Sequence, residues 1–363
     1  MRLTKSEIIQ KFWSEAEKYA PLKSERMLQE TQDISPDIFV GTFIDFCIAD
    51  GPCFKAMVEA EAVATPKIML QAAQQIMAYL RRKDDKTTVP VVIVPYMRAE
   101  QAKILQREGV SWIDLCGNMV IRVGNQVYIE RTGKENQFPD TVPIKKIFEG
   151  TSSLVGRALL LKKEPFRSLG EVVDFVIERG GNITLSTVSK VMSSLEEELL
   201  VTKTEAGISV TDRGKLLEKL VEGYTNYSKR NANKTYTFAA EVAVYDLPNV
   251  FFFEKVDYAA CGFYAAKLKG LATTDRITVF IKSINEARKA FESMRINIKP
   301  DAEFGQLDLI ETKNSCVWFN LLKRGRDYSI VDDIELYLEM MIDTPRGPKI
   351  AEILKERILK GQE

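Results

Sequence analysis

Acidic side chains in the first third of the sequence are the earliest residues whose types could support catalysis. Asp37 follows a proline, and Glu59 and Glu61 stand two positions apart on a predicted strand. Carboxylate oxygens are the ligands that Mg²⁺ prefers, and such a cation can activate water for attack on a phosphodiester. Gln75 and Tyr79 follow, one helical turn apart. The three carboxylates therefore define a candidate metal-dependent site.

The order of these residues resembles the PD-(D/E)xK nuclease fold, in which an Asp and a Glu on adjacent strands hold a divalent metal. In that fold a lysine two residues after the glutamate orients the attacking water. Asp37 and Glu59 match the two carboxylates, and Gln75 with Tyr79 resembles the additional helical motif of RecB-like members. The lysine position is occupied by Glu61, which could add a third carboxylate for Mg²⁺ but repels a phosphodiester.

The missing lysine leaves two interpretations of the resemblance open. We expect a nuclease-like scaffold that has kept the fold without the activity. The alternative is a metal-dependent nuclease whose lysine has moved. Lys55 lies on the same strand face as Glu59 by period-two counting, and Lys67 opens the next predicted helix.

Apolar periodicity predicts the elements that carry these residues. Thr4 caps a helix, and we expect helices throughout 1–30. The apolar run at 89–95 suits a strand that is buried on both faces. Further strands are predicted at 38–48, 53–63, 112–115, 119–123 and 126–130, with helices at 67–82 and 99–108. This alternation implies a mixed sheet flanked by helices. The resemblance implies that this sheet has the restriction-endonuclease-like fold.

The stretch 152–227 predicts a second kind of module. Pro165 ends a first helix, Ser168 caps a second helix, and that helix stops at Gly180. A third helix begins near Ser186. Two short strands follow at 199–201 and 208–210, around a turn at 205–207. Three helices followed by a two-stranded ribbon predict a winged helix.

The third helix of this module has a small, hydroxyl-rich outer face, which suits close approach to a DNA duplex. The predicted contacts are Ser186, Thr187, Ser189, Lys190, Ser193, Lys203 and Arg213. The predicted partner is double-stranded DNA, in particular the promoter of the protein's own gene. The alternative is a packing module without a ligand. The outer face carries only one lysine, which favours this alternative, since a strongly non-specific DNA binder shows several.

Composition excludes several classes of protein. Lysine plus arginine equals aspartate plus glutamate at 51 each over 363 residues, so any nucleic-acid contact needs a local basic patch. The absence of histidine removes histidine-based catalysis and histidine metal sites. Five scattered cysteines without a CxxC pair exclude a zinc ribbon and indicate reduced thiols in a cytoplasmic protein. We expect no membrane span, no signal peptide and no cofactor.

Two segments on either side of the predicted winged helix carry a family resemblance. One runs from Val94-Pro95-Tyr96 to Asp114 and, after Cys116-Gly117, to Asn118; the other covers 331–354. With the winged helix between them, they resemble AbiEi-like antitoxins and winged-helix regulators of bacteria. Turn chemistry at a strand end would also explain Asp114 and Asn118 without any ligand.

The resemblance spans about 36–358 and includes departures, since Glu335 stands where the family has Gln and Glu339 where it has Asp. It implies a DNA-binding antitoxin or autorepressor of a type IV toxin–antitoxin system. The toxin in such a pair acts on a shared target and is not bound tightly.

The last third is predicted to be a further α/β domain. Residues 262–281 resemble the nucleotidyltransferase core, in which a helix precedes a strand with an Asp-x-Asp pair for two metals. Asp275 is present but Ile277 occupies the second position, so this core would be degenerate. Strands are predicted at 238–244, 250–253, 275–281, 307–311 and 316–319, with helices at 257–268 and 284–294.

The sequence thus predicts an α/β multidomain protein. Its domains are a nuclease-like domain at 1–148, a winged helix-turn-helix domain at 149–230 and a C-terminal α/β domain at 231–363. The leading hypothesis is a transcription regulator that binds DNA. Its rivals are a metal-dependent nuclease that uses Asp37, Glu59 and Glu61, and a protein-interaction platform in which the winged helix only packs.

Overall fold

The computed structural model of the chain describes residues 3–29, 42–49, 51–138, 145–240, 247–324, 328–342 and 345–361. Asp37 lies outside these described residues. The chain separates into two compact units, Met1–Ile144 with Glu196–Leu199, and Lys145–Leu195 with Leu200–Glu363.

The first unit is built on a seven-stranded mixed sheet. Its strands are β1 (Leu22–Gln29), β2 (Thr42–Ile48), β3 (Cys53–Ala60), β4 (Val89–Val94), β5 (Ser111–Asp114), β6 (Met119–Val123) and β7 (Val127–Arg131). They lie side by side in the order of the chain. The β3–β4 and β4–β5 pairs are parallel and the other pairs are antiparallel. The predicted mixed sheet is therefore confirmed.

Helices form a separate core on each face of this sheet. They are α1 (Lys5–Ser14), α2 (Pro66–Arg82) and α3 (Ala99–Arg107). Ile8 and Phe12 of α1 pack with Val91 of β4, whereas Ile76 of α2 packs with Val92 of the same strand. Strand β4 is thus buried on both faces, as its continuous apolar run predicts.

Two predictions for the first unit are wrong. Residues 22–29 form strand β1 instead of a helix, because pairing with β2 overrides the helix propensity of Lys, Glu, Met and Gln in this stretch. The cysteines are also not all reduced, since Cys47 and Cys53 are joined by a disulfide. These two residues face each other in register across β2 and β3, and the turn between the strands brings them together.

The second unit begins with helices and a short ribbon. These elements are α4 (Ser153–Leu161), α5 (Leu169–Glu178), α6 (Leu185–Glu197), β8 (Val201–Thr204), β9 (Gly207–Val210) and α7 (Arg213–Arg230). Ser168 caps α5 by accepting a hydrogen bond from the Glu171 backbone N–H at 3.1 Å. Gly180 follows α5 with a φ of 79°, a left-handed conformation that glycine adopts without steric cost. The predicted start and end of this helix are therefore confirmed.

A second seven-stranded mixed sheet forms the rest of this unit. Its strands, in spatial order, are β13 (Ile298–Pro300), β10 (Lys234–Ala240), β14 (Leu307–Glu311), β12 (Ile277–Ile281), β11 (Tyr258–Ala260), β16 (Tyr328–Ile330) and β15 (Leu322–Arg324). Its helices are α8 (Leu247–Phe253), α9 (Gly262–Leu268), α10 (Ile284–Ser293), α11 (Asp333–Ile342) and α12 (Gly347–Lys360). Buried residues of α4, α7 and this sheet belong to one hydrophobic core.

Three predictions for this sheet region are wrong. Residues 250–253 lie in helix α8, 257–268 divide into strand β11 and helix α9, and 315–318 form a 3₁₀-helix. Each is a short apolar stretch whose period does not distinguish a strand from a buried helix, so tertiary packing decides. None of the helices in the described ranges has both the length and the apolar character needed to cross a membrane.

A buried ion pair lies in this core between α4 and α11. Arg157 donates to Glu335 with an Nη1–Oε2 distance of 2.5 Å, and both side chains are only 1% exposed. Tyr224 of α7 donates from its hydroxyl to the other Glu335 oxygen at 3.1 Å. Asp332 is buried beside the same helix, and Glu339 on that helix is half-buried. A single guanidinium therefore lies among three carboxyl groups in this region.

Burial raises the pKa of Asp332 and of Glu339 to different extents. The pKa of Asp332 rises to about 6, and the charge of Arg157 opposes this rise. The pKa of Glu339 rises well above its usual range, because burial and the charge of Glu335 both favour its neutral form. Burial alone would lower the pKa of Arg157, but Glu335 outweighs that effect and raises it. The cluster therefore combines a charged arginine with two carboxyl groups, Asp332 and Glu339, whose neutral forms are favoured by burial.

We expect Arg157→Met to lower the free energy of unfolding by about 3 to 5 kcal/mol, because the substitution leaves Glu335 buried without its cation. Urea denaturation measures this loss. Arg157→Met combined with Glu335→Met should recover much of it, since a buried pair can be replaced by apolar groups. The control is Lys360→Met, which breaks an exposed 3.0 Å pair with Glu356 and should cost less than about 1 kcal/mol. Equal losses for Arg157→Met and Lys360→Met would contradict this account.

Candidate functional site

The carboxylates singled out by the sequence meet a lysine from another element. Glu59 ends β3 as a buried side chain, and Glu61 follows the strand. Lys5, in the first turn of α1, donates to Glu59 Oε1 at 2.6 Å and to Glu61 Oε1 at 2.8 Å. The structure thus brings Glu59 and Glu61 together as predicted, with a cation between them that sequence reasoning missed.

Burial dominates the electrostatics of this group. It raises the pKa of Glu59 from 4.5 to about 7, while the hydrogen bond and charge of Lys5 oppose the rise. Partial burial lowers the pKa of Lys5, but its bonds to the two carboxylates outweigh that effect and raise it. The Lys5 ammonium therefore stays charged. Its positive charge and its hydrogen bond favour the ionised form of Glu59 near neutral pH.

The contacts recorded for the other predicted members of the nuclease-like site are with different residues. Lys55 stands four residues before Glu59, about 13 Å away along a strand. Its Nζ lies 4.2 Å from the centre of the Phe43 ring. Gln75 is exposed on α2, and the Tyr79 ring is 6.4 Å from the Phe43 ring. Lys5, and not Lys55, is thus the lysine that contacts the two glutamates.

Metal chemistry at this group would depend on a residue outside the described structure. Within the described ranges, no three Cys, Asp or Glu side chains are grouped so that they could hold a metal ion. Glu59 and Glu61 provide two carboxylates, and both bind the Lys5 ammonium. Asp37, the predicted third ligand, is not among the described residues.

The loop after β5 forms a closed hydrogen-bond network around Asp114. This fully buried carboxylate accepts hydrogen bonds from the backbone N–H groups of Met97 (3.1 Å), Cys116 (3.0 Å) and Asn118 (2.9 Å). The Asn118 amide adds a fourth bond at 2.8 Å. Burial raises the pKa of Asp114, and these four donors oppose the rise. Gly117 closes the turn with a φ of 96°. The loop therefore has the turn chemistry that the sequence suggested as one alternative.

Helix α6 presents the predicted hydroxyl-rich face. Val188, Val191, Met192 and Leu195 form its buried stripe. Of the predicted DNA contacts on α6, Thr187 is half-buried. The others are exposed: Ser186, Ser189, Lys190 and Ser193. Thr184 caps the helix by accepting a hydrogen bond from the Thr187 N–H at 3.3 Å. One polar surface thus runs along the outer side of α6.

The last two predicted DNA contacts differ from each other. Lys203 is exposed on β8, opposite Ile208 in the ribbon. The Arg213 guanidinium instead donates hydrogen bonds to two backbone carbonyls within the protein, those of Leu160 and Ile358. The distance to the Ile358 carbonyl is 3.2 Å. Because those carbonyls lie at or near the ends of α4 and α12, Arg213 has a structural role that the sequence did not indicate.

The contact of Lys5 with Glu59 and Glu61 could not have been predicted from the residues next to either partner in the sequence. Lys5 lies 54 residues before Glu59, and its own surroundings suggest only a helix start. The one usable signal is the buried glutamate itself, because a carboxylate predicted on a buried strand needs a cation or hydrogen-bond donors. That requirement predicts a partner without identifying it.

No known protein family and no curated protein matches this chain. Among solved structures, the structure of EndoMS in apo form is 11% identical to it, with a TM-score of 0.22. The matched region covers 31% of this chain, and the chain spans 47% of the EndoMS chain. A likeness at this TM-score carries no argument about fold or function.

We expect the free energy of unfolding to fall between about pH 4.5 and about pH 7 through Glu59. In this window folded Glu59 binds more protons than unfolded Glu59, so raising the pH favours the unfolded state. Glu59→Gln should flatten this part of the stability profile, measured by urea denaturation at several pH values. Glu108→Gln changes an exposed glutamate and should leave the profile unchanged. A profile that is identical in wild type and Glu59→Gln would contradict the assignment.

Proposed function

We propose that the chain is a DNA-binding regulator that reads duplex DNA with helix α6. The observation that supports this proposal is the exposed hydroxyl and lysine surface of α6, held on a buried apolar stripe. Small side chains let a helix approach base edges closely, and hydroxyls and ammonium groups donate to bases and phosphates.

The surrounding elements support a winged-helix interpretation. Helices α4, α5 and α6 precede the β8–β9 ribbon, which is the order of a winged helix-turn-helix domain. Phe166, between α4 and α5, forms an antiparallel bridge with Ile208 of β9, through N–H to carbonyl bonds of 3.0 and 2.7 Å. This bridge adds a third strand segment to the ribbon. Residues 205–206 form the tip of the proposed wing.

We further propose that the protein belongs with AbiEi-like antitoxins. This step rests on the sequence resemblance. In that role the protein would repress its own promoter from the cytoplasm and counteract a toxin that acts on a shared target. The proposed contact set is Ser186, Thr187, Ser189, Lys190, Ser193 and Lys203.

Lys190→Ala should weaken binding to the promoter of the protein's own gene by about 1 to 3 kcal/mol, if the ammonium contacts a base edge. Fluorescence anisotropy with that promoter and a scrambled duplex measures the effect, and the loss should be larger on the promoter. Lys289→Ala removes an equally exposed lysine from α10 and should change neither isotherm. Wild-type protein that shows no preference for the promoter, with no effect of Lys190→Ala, would favour the interaction-platform alternative.

Lys203→Ala should act differently, because a wing residue meets phosphates that are common to all sequences. We expect equal weakening on promoter and scrambled duplex, and a salt slope that is smaller by about one unit. Binding isotherms at two salt concentrations give the slope. A sequence-dependent loss for this variant would instead place Lys203 on a base edge.

The alternative function is a metal-dependent nuclease centred on Glu59, Glu61 and Lys5. The favouring observation is that a lysine does contact both carboxylates. In the proposed regulator this ion pair only neutralises a buried glutamate.

We expect no Mg²⁺- or Mn²⁺-dependent cleavage of plasmid or single-stranded DNA, because Glu61 stands where the nuclease fold has its water-orienting lysine. Gel electrophoresis after incubation with each metal checks this. Cleavage that is lost in both Glu59→Ala and Lys5→Ala would establish the nuclease, with Lys5 as its displaced lysine. The same reaction with Gln75→Ala, an exposed helix position, tests the RecB-like part of the resemblance.

A further inference from the structure

A cavity of about 380 Å³ opens in the first unit where β4 and β5 end and α3 begins. Its apolar wall includes Met97, Ala102, Trp112 and Val120, and its polar residues include Arg98, Lys103, Glu130 and Lys134. A volume of this size falls at the small end of the range for small-molecule sites. Ligands of α/β sheets typically bind at the carboxyl ends of parallel strands, where this cavity lies.

The Asp114 network joins several segments that line the cavity. Asp114 accepts the Met97 N–H from the segment after β4, and it holds the side-chain amide of Asn118. Asn118 in turn accepts the Lys134 N–H at 2.7 Å and donates to the Lys134 carbonyl at 3.2 Å. Hydrogen bonds that involve one buried carboxylate therefore join the segments that contribute Met97, Asn118 and Lys134 to the cavity lining.

One wall of the cavity carries a donor without an acceptor. Trp112 is only 3% exposed, and its indole Nε1 has no hydrogen-bond partner among the described residues. A buried donor that stays unpaired costs free energy, and such orphan groups are rare in folded proteins. A ligand that brings an acceptor oxygen would pair this N–H.

The charge of the cavity lining favours an anion. Arg98, Lys103 and Lys134 supply three cations, against the single carboxylate of Glu130, which accepts a bond from the Tyr128 hydroxyl. Helix α3 starts at this cavity, and its N-cap residue Arg98 makes no side-chain capping bond. The N–H groups of a helix N-terminus attract anions, phosphate in particular.

We propose that this cavity binds a small phosphate monoester of about mononucleotide size. The excess of two cations matches a doubly charged phosphate better than a single carboxylate. The phosphate oxygens accept from the Trp112 indole and from Arg98, and Lys103 and Lys134 balance the remaining charge. A partly enclosed cavity suits a free small molecule, whereas a nucleic-acid backbone would need an open groove. This site is independent of the proposed DNA contact on α6.

The test uses Trp112 as its own reporter. In full-length protein with Trp13→Phe and Trp318→Phe, Trp112 is the only tryptophan, and excitation at a wavelength that tyrosine does not absorb isolates its fluorescence. Titration with AMP, and separately with inorganic phosphate, should give a saturable change at millimolar concentration or below. Sodium chloride at matched ionic strength should give none. A change that sodium chloride reproduces, or no saturable change with either probe, overturns the proposal.

Variants of otherwise wild-type protein, measured by calorimetry, assign the contacts. Trp112→Phe keeps an aromatic side chain in the wall but removes the N–H together with part of the indole, and Arg98→Ala removes one cation. Each should weaken AMP binding by about tenfold or more, the effect expected for a lost charged hydrogen bond. Glu130→Gln should tighten it, and Lys289→Ala should have no effect. Unchanged affinity in Trp112→Phe and Arg98→Ala, or displacement of AMP by duplex DNA, overturns the assignment to a small phosphate monoester.

Discussion

The Arg157–Glu335 ion pair constrains the whole second unit. Two opposite charges that are excluded from water must stay together, because separating them leaves an uncompensated charge in the interior. The pair joins α4, whose residues 153–160 are all buried, to α11. Tyr224 extends the same contact to α7. Helices that a winged helix would use as its own scaffold are therefore part of the core that also supports the second sheet.

This constraint explains why the second unit has one continuous core. The sequence predicts a domain boundary near 230, where α7 ends at Arg230 and β10 begins at Lys234. The buried residues of α7 belong to the same hydrophobic core as Phe238 of β10 and Leu309 of β14. The proposed recognition helix α6 is anchored in the same core through Val188 and Leu195. A rigidly held α6 loses little conformational freedom when it binds, which favours sequence discrimination over loose attachment.

Local signals predicted much of the fold, and long-range contacts account for the errors. Thr4 and Ser168 identify helix starts because capping needs only residues within one turn. Residues 22–29 and 250–253 were predicted incorrectly because their partners, not their own composition, decide between helix and strand. The candidate sites divide in the same way. The exposed face of α6 follows from helical period, whereas the contact of Lys5 with Glu59 and the internal use of Arg213 join distant parts of the chain.

The strand order of the first sheet has a consequence for how the chain folds. Every strand pairs with its immediate neighbour in sequence, so each pairing closes a short connection or one that contains a single helix. The second sheet places β13 beside β10 and β16 beside β11, and these pairings close much longer loops. Because the entropy of loop closure rises with loop length, low contact order favours rapid formation of the first sheet. The first sheet can therefore assemble strand by strand during synthesis, whereas the second must wait for the end of the chain.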